Sequence, residues 1–171
     1  MVRIATITPE YAKAYNHLVK RGLREHPSSF DADIAQLEKR RDRAVARGLQ
    51  RFDRLNGCLL GAFDEADKLV GTAMAIRRSA PKQSHQAEVL FVYVPIEHQG
   101  KGIAKKLMTY LILSARHLNG IEQLYLTVNL NGSAARALYV SFGFQSAGVV
   151  PRAVRVDGDY FDQEHMWLAL S

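Results

Sequence analysis

Hydrophobic and polar positions along this chain follow two periods, and each change of period marks an element. Val2 to Thr6 alternates as a strand does. Thr8-Pro9-Glu10 then carries the chemistry of a helix start: a capping threonine, a proline at the first position and an acid in the first turn. Tyr11, Tyr15, Leu18 and Val19 share one face of the helix that follows, which is expected to end near Gly22. A loop with Pro27 and two serines leads to a second, polar helix over about 31–50, whose apolar side is only Ile34, Leu37, Val45 and Leu49.

From Gly57 the period shortens. Residues 58–63, 69–76 and 86–94 are apolar or alternating runs divided by turn-like segments at 64–68 and 79–84, the pattern of three antiparallel strands. Helical spacing returns at Ile103, Leu107, Leu111, Ala115 and Leu118 and stops before Gly120. A strand (123–128), a short helix (133–142) and a strand pair around Asp157-Gly158, closing with 166–170, complete the chain. The order is strand, two helices, three strands, helix, strand, helix, two strands, which predicts a mixed α+β fold.

Length and composition narrow the picture. With 171 residues, 47% hydrophobic and 23% charged, the chain is expected to form a single domain over 1–171. A chain near 150 residues removes about 68–70% of its unfolded surface from water, so no metal or disulfide staple is required. Cys58 is the one cysteine, which suits a reducing, cytoplasmic setting. The apolar runs, such as 88–95, fall far below the roughly 18–20 residues of a spanning helix, and the first residues lack the pattern of a signal peptide. The expectation is a soluble intracellular protein without a membrane partner. Lysine plus arginine number 23 against 17 acids, a net charge of +6, which favours anionic partners without choosing one.

Candidate chemistry concentrates in Glu88-Val-Leu-Phe-Val-Tyr-Val-Pro-Ile-Glu-His-Gln-Gly-Lys-Gly-Ile-Ala-Lys-Lys-Leu-Met108. A strand runs into a glycine-rich turn, and the turn opens directly into an amphipathic helix. The first turn of a helix leaves N–H groups unpaired, its dipole adds about half a positive charge, and glycine lets an anion approach the backbone. Lys101 and Lys105 add charge nearby. The glycine spacing is that of neither a Walker loop nor a dinucleotide fingerprint. Two isolated glycines before a helix are also compatible with a plain turn.

Gln99-x-x-Gly102-x-Ala104, between a strand and a leucine-bearing helix, resembles motif A of the GCN5-related N-acetyltransferase (GNAT) superfamily, which wraps the pyrophosphate of acetyl-CoA. Ala134-Ala-Arg-Ala-Leu-Tyr139 followed by Phe142-Gly-Phe144 resembles its motif B, and the element order is similar from end to end. Pro95 stands one position earlier than the family's proline, and Gly132 stands where asparagine is common, with Asn131 beside it. The resemblance implies a twisted, mostly antiparallel sheet of about seven strands with four helices around it. It implies acetyl-CoA as cosubstrate without a metal, a primary amine as acceptor and, as in many members, a homodimer. Gly100, Lys101, Gly102, Ile103, Ala104 and Lys105 would then offer backbone N–H groups to the pyrophosphate, with Gln99 opening the loop. Val92, Tyr93 and Val94 would offer main-chain bonds to the pantetheine arm where two strands splay apart, and Asn131 is a candidate cofactor contact.

Transfer to an amine requires removal of a proton and a donor for the departing thiolate. The phenol of Tyr139, ordinarily near pKa 10, suits the donor; a tyrosine merely packed in the core is the alternative. Glu88, eleven residues before Gln99, has the spacing of the catalytic glutamate in the superfamily's histone acetyltransferases, and on a regular strand it shares a face with Leu90, Val92 and Val94. A solvated acid at a strand end explains it equally. Glu97 and His98 read as surface residues of the loop. His17, His26, His85, His117 and His165 have no metal spacing, and Cys58 reads as a packed small residue. Tyr160 either borders the acceptor pocket or is a hairpin aromatic. Direct attack in a ternary complex follows from the lack of a positioned nucleophile. The alternative class is a GNAT-fold sensor of CoA or a basic binding module; the chain lacks a pattern for nucleic-acid stacking. Residues 38–54 hold seven basic and three acidic side chains, so most of the excess charge lies there, as a solvated helix face or as a dock for an acidic acceptor, in which case Arg40, Arg43 and Arg47 are the residues to neutralise.

Overall fold

The computed structural model describes residues 2–30, 34–52 and 57–170. β1 (Arg3–Thr6) leads through a 3-10 turn at Pro9–Tyr11 into α1 (Ala12–Glu25), then α2 (Ile34–Glu38) and α3 (Asp42–Arg51). β2 (Gly57–Phe63), β3 (Leu69–Arg77) and β4 (Gln86–Tyr93) form the meander, followed by α4 (Ile103–Arg116), β5 (Gln123–Asn129), α5 (Ser133–Ser141) and the hairpin of β6 (Gln145–Val156) with β7 (Asp159–Ala169). The seven strands make one sheet in the order β1-β2-β3-β4-β5-β7-β6, antiparallel except between β4 and β5. Among the described residues, four helices of nine residues or more, together with the short α2, accompany it, as the element order implies.

Both faces of the sheet are covered, which is why β2 and β3 read as unbroken apolar runs. Leu107, Met108, Leu111 and Ala115 of α4 pack on one face against Leu60, Ala62, Val70 and Ala73. Leu18, Val19 and Leu23 of α1, with Val45 of α3, pack on the other against Leu59, Phe63 and Leu69. Each such aliphatic side chain contributes about 1.5–3 kcal/mol when fully buried, enough to hold α4 although its first turn has no side-chain cap.

Two expectations about the helices are corrected. α1 runs three residues beyond Gly22, because that glycine is a packing position and not a stop: a Cβ there would meet the Tyr93 ring at 3.1 Å. The single helix expected over 31–50 is two, broken after Glu38; residues 31–33 lie outside the described ones. The break is held from α1. Lys20 Nζ donates to the carbonyls of Glu38 and Arg40, each at 3.1 Å, and Asn16 Nδ2 donates to the Arg40 carbonyl and to Asp42 at the start of α3. Carbonyls satisfied from outside need no further helical turn.

Two irregularities shape the centre. β4 and β5 pair only over Gln86–Gln123, Ala87–Leu124 and Glu88–Tyr125, and then part. Beyond that point β4 carries a bulge, with Phe91 at φ +50° and the register against β3 shifted between Thr72 and Met74. A bulge inserts one residue and exchanges the faces of all that follow.

Candidate active site

The gap between β4 and β5 opens into a cavity of about 710 Å³. Its floor is Val92, Tyr93 and Val94, one end is the turn from Gln99 to Lys105, and its opposite wall is Asn129, Asn131, Gly132 and Tyr139. A second cavity of about 180 Å³ continues it past Leu90, Phe91 and Thr127, sharing Phe30, Val92, Asn129 and Tyr139 with the first.

The turn is shaped for an anion. Gly100 and Gly102 hold φ of +72° and +73°, a region L side chains rarely adopt, and the space beside each is open to 4 Å. Gly102 caps α4 without a side-chain bond, so the N–H groups of Ile103, Ala104 and Lys105 have no intrahelical partner and face the cavity their residues line. Gln99 Nε2 donates to the Val94 carbonyl at 2.9 Å, bracing the turn and occupying one of the main-chain acceptors assigned to the pantetheine arm. Lys101 turns away: its Nζ donates to the Glu97 carbonyl, and it lines neither cavity. Lys105 and His98 are the basic groups that do line the anion end.

Below the turn, Arg21 of α1 bridges Glu25 and Glu97, both at 2.6 Å, and Glu25 accepts the Tyr93 hydroxyl at 2.6 Å. The Arg21 bond holds the Glu97 carboxyl down at about 2, while burial and Glu25 push the Tyr93 phenol well above its ordinary range. Tyr93 thus sends its side chain into the α1 face and leaves only its backbone to the cavity.

Tyr139 is 8% exposed, lies where the two cavities meet, and packs at a tilt against Phe144 with ring centroids 5.8 Å apart. Burial pushes its phenol up to about 12, so it stays protonated at any ordinary pH. It can donate a hydrogen bond or a proton; it cannot serve as a base. α5, which carries it, is tied to β7 by Arg136, whose guanidinium grips the buried Glu164 at 2.6 Å.

Glu88 lies on the last paired rung before the strands part and lines neither cavity. The face expected for it is corrected: it shares a side with Leu90, but the bulge at Phe91 turns Val92 and Val94 to the α4 side. Glu88 instead shares the α1 side with its rung partner Tyr125 and with Thr127. The Tyr125 hydroxyl pairs with His165 Nδ1, and the Arg78 guanidinium covers the Tyr125 ring at 4.6 Å. Among the described residues no carboxylate lines either cavity, and no three metal-ligating side chains come together. Cys58 is half-buried on β2, where burial pushes its thiol up to about 11. Tyr160 lies outside both cavities, with the Arg152 guanidinium 3.8 Å over its ring.

Several lining residues carry no sequence signal. His26, Ser28, Ser29 and Phe30 come from the loop after α1, with Phe30 stacked on Phe91 at 5.2 Å. Asn129 ends β5 with its amide buried.

A parted sheet with an anion-ready helix start at one end of the gap and a protonated phenol at the other makes a long cleft that suits a phosphorylated ligand. Residues 16–144 match the Acetyltransferase (GNAT) family, and the chain belongs to it. It is 39% identical over 90 residues to the N-alpha-acetyltransferase RimI of Mycobacterium tuberculosis, a match covering 53% of this chain and about half, 54%, of that relative's length. Its fold is similar to that of yncA from Salmonella typhimurium, solved with its cofactor acetyl-CoA (TM-score 0.88, 21% identity, 100% of this chain and 95% of that one). It is also similar to ribosomal-protein-alanine N-acetyltransferase from Brucella melitensis (TM-score 0.82, 22% identity, 98% and 99%). No described helix is long and apolar enough to cross a membrane.

Proposed function

We propose that this chain, as one catalytic domain over 1–171, transfers the acetyl group of acetyl-CoA to a primary amine by direct attack in a ternary complex. The α-amino group of a peptide is the first acceptor to test, because RimI, an N-alpha-acetyltransferase, is a relative. The observation that carries the reading is the continuity of the two cavities past Tyr139, from the glycine turn through the parted strands to the α1 side. The residues fit the cosubstrate. The amides of Ile103, Ala104 and Lys105 would hold its pyrophosphate, with Gly100 and Gly102 shaping the turn, and Val92 to Val94 would hold the pantetheine arm through main-chain groups left by the parting strands. Asn131 lines the same wall, which supports it as a further contact that would hold the cofactor.

When bound, acetyl-CoA supplies an activated acyl carbon, so that one N–C bond forms as the C–S bond breaks. Glu88, on the acceptor side, takes the amine's proton through a water, since it does not itself line the cavity. Tyr139 holds a proton at its Oη, which goes to the departing sulfur. Burial keeps that phenol protonated until the step, so the proton is in place as the sulfur departs. Cys58, protonated and remote from both cavities, offers no competing nucleophile.

Cytoplasmic location and a homodimer belong to the same reading. Val149 and Val150 are 47% and 44% exposed on β6, the edge strand, and a second copy would cover them. Sedimentation that gives a monomer at assay concentration would remove the dimer. For the activity, acetyl-CoA at a hundredfold excess over its Kd should stabilise the protein by about 2.7 kcal/mol, and an unblocked peptide should then release thiol. Stabilisation without thiol release from peptides or other amines would identify a sensor of CoA instead; no stabilisation would sink both.

A further inference from the structure

Asn129 ends β5 where the two cavities join, and it is 5% exposed. Its Nδ2 donates to the Ser28 carbonyl at 2.6 Å, tying the loop after α1 to the sheet. Only the nitrogen of the amide can make that bond, so the orientation of the side chain is fixed and Oδ1 points elsewhere. That Oδ1 is buried and has no partner among the described residues. The large majority of buried side-chain polar atoms are paired, and this one belongs to a residue that lines the same two cavities as Tyr139. An N–H or O–H donor arriving with a ligand in that cavity would supply the bond it lacks.

We infer that Asn129 receives the acceptor: its Oδ1 accepts a hydrogen bond from the incoming amino group, while its Nδ2 holds the Ser28–Phe30 loop over the same cavity. The inference rests on the acetyl-transfer reading above. A neutral primary amine attacks through its lone pair and carries two hydrogens, one for the base and one for Oδ1. A hydroxyl acceptor has a single hydrogen, and giving it to the base leaves Oδ1 buried and unpaired. The same oxygen therefore selects primary amines against alcohols.

The experiment uses the full chain and an unblocked pentapeptide beginning with alanine, with its N-acetylated form as the control that lacks the amine. Asn129→Leu removes both bonds at similar volume; Asn129→Asp keeps an oxygen acceptor and loses the donor to Ser28. Calorimetry gives the Kd of the peptide on the CoA-saturated enzyme and the Kd of acetyl-CoA alone, the second also showing that each variant is folded. Asn129→Leu is expected to weaken the peptide about tenfold or more and leave acetyl-CoA within about twofold, an unpaired hydrogen-bonding group being of that order, and Asn129→Asp to retain most of the peptide affinity. Three results would overturn the inference. Weakened acetyl-CoA with unchanged peptide binding assigns Oδ1 to the pantetheine arm. Equal losses in both variants reduce Asn129 to a clamp for the loop. Wild-type affinity for the acetylated control matching that for the free peptide shows that the amine is not what Oδ1 meets. Failure of the parent reading looks different: wild type that binds acetyl-CoA but neither binds the free peptide nor releases thiol overturns the peptide acceptor, and the inference with it.

Discussion

At the scale of single residues, the environment of Tyr139 decides what it can do. A phenol raised to about 12 by burial is protonated through the whole working range, so the acid role proposed for it predicts a contribution to turnover that is constant with pH until strongly alkaline solution. Two outcomes follow. Tyr139→Phe should lower kcat by roughly 10² to 10⁴, the range of general acid–base catalysis, with the Kd of acetyl-CoA unchanged by calorimetry. Any alkaline limb of the wild-type kcat profile below about pH 11 should persist in the Phe variant, because another group causes it. A limb that vanishes with the hydroxyl would mean that Tyr139 titrates far below the value its burial sets. Glu88 behaves differently, since half-burial and a place one rung outside the cavity suit proton transfer through water. Glu88→Gln should lower kcat most at acidic to neutral pH, where the amine must lose a proton, and the loss should shrink as pH rises toward the amine's own pKa. A deficit that stays constant with pH would remove Glu88 as the base.

At the scale of elements, the glycine turn and the network beneath it separate geometry from charge. Gly102 sits at φ +73° with open space beyond, so Gly102→Ala meets no clash and adds only the cost of a left-handed L residue, about 1–2 kcal/mol. If the turn relaxes to escape that cost, its amides leave the anion, and the Kd of acetyl-CoA should rise roughly 5- to 30-fold while the far-ultraviolet spectrum stays constant. Glu97 supports the turn from below through Arg21. Its folded pKa, about 2, is depressed from the ordinary carboxylate value, so its stabilisation is complete above about pH 4.5 and is lost as pH falls toward 2. Glu97→Gln should therefore melt slightly below wild type at pH 7, with the two melting curves converging near pH 2; a difference that grows in acid would contradict the assignment. Legibility follows the same division. The turn could be read from Gln99, Gly100 and Gly102 because a helix start is local chemistry. The break between α2 and α3 could not, because its carbonyls are satisfied by Asn16 and Lys20 from another helix. The bulge had no mark either: Val89-Leu-Phe-Val92 reads as plain strand, and the positive φ of Phe91 comes from the sheet around it. Gly22 misled for the same reason, since a glycine that admits an aromatic ring looks in sequence like one that ends a helix. Asn129 needed the loop that it holds.

At the scale of the molecule, the distribution of the excess charge bears on which acceptors arrive. Near the anion site much of the charge is already matched. Arg21 is held between Glu25 and Glu97, and Lys101 is drawn to a backbone carbonyl, which leaves Lys105 as the lysine facing the cavity. On α3, by contrast, Val45 faces the core while Arg43 and Arg47 project outward, together with Arg41 just before the helix. Arg40, one of the three arginines named for neutralisation, is half-buried with its guanidinium near Gly48, so Arg41 takes its place in the exposed set. These cations follow the Ser28–Phe30 loop in the chain, and α3 packs on the same face of the sheet as α1, the face that the smaller cavity reaches. Fixed charge beside a cleft raises the encounter rate of an oppositely charged ligand and does so less as salt screens it, with a Debye length of about 10 Å at 0.1 M. An unblocked peptide with acidic residues after its first position should therefore show a KM that rises between low and moderate ionic strength, while a neutral peptide of the same length shows little change. Arg41→Gln, Arg43→Gln and Arg47→Gln together should abolish that salt dependence and raise the acidic peptide's KM at low salt, with kcat and the Kd of acetyl-CoA unaltered, because none of the three lines either cavity. Equal salt responses for the two peptides, unchanged in the triple variant, would make the arginines a solvated face and place acceptor choice entirely within the walls of the smaller cavity.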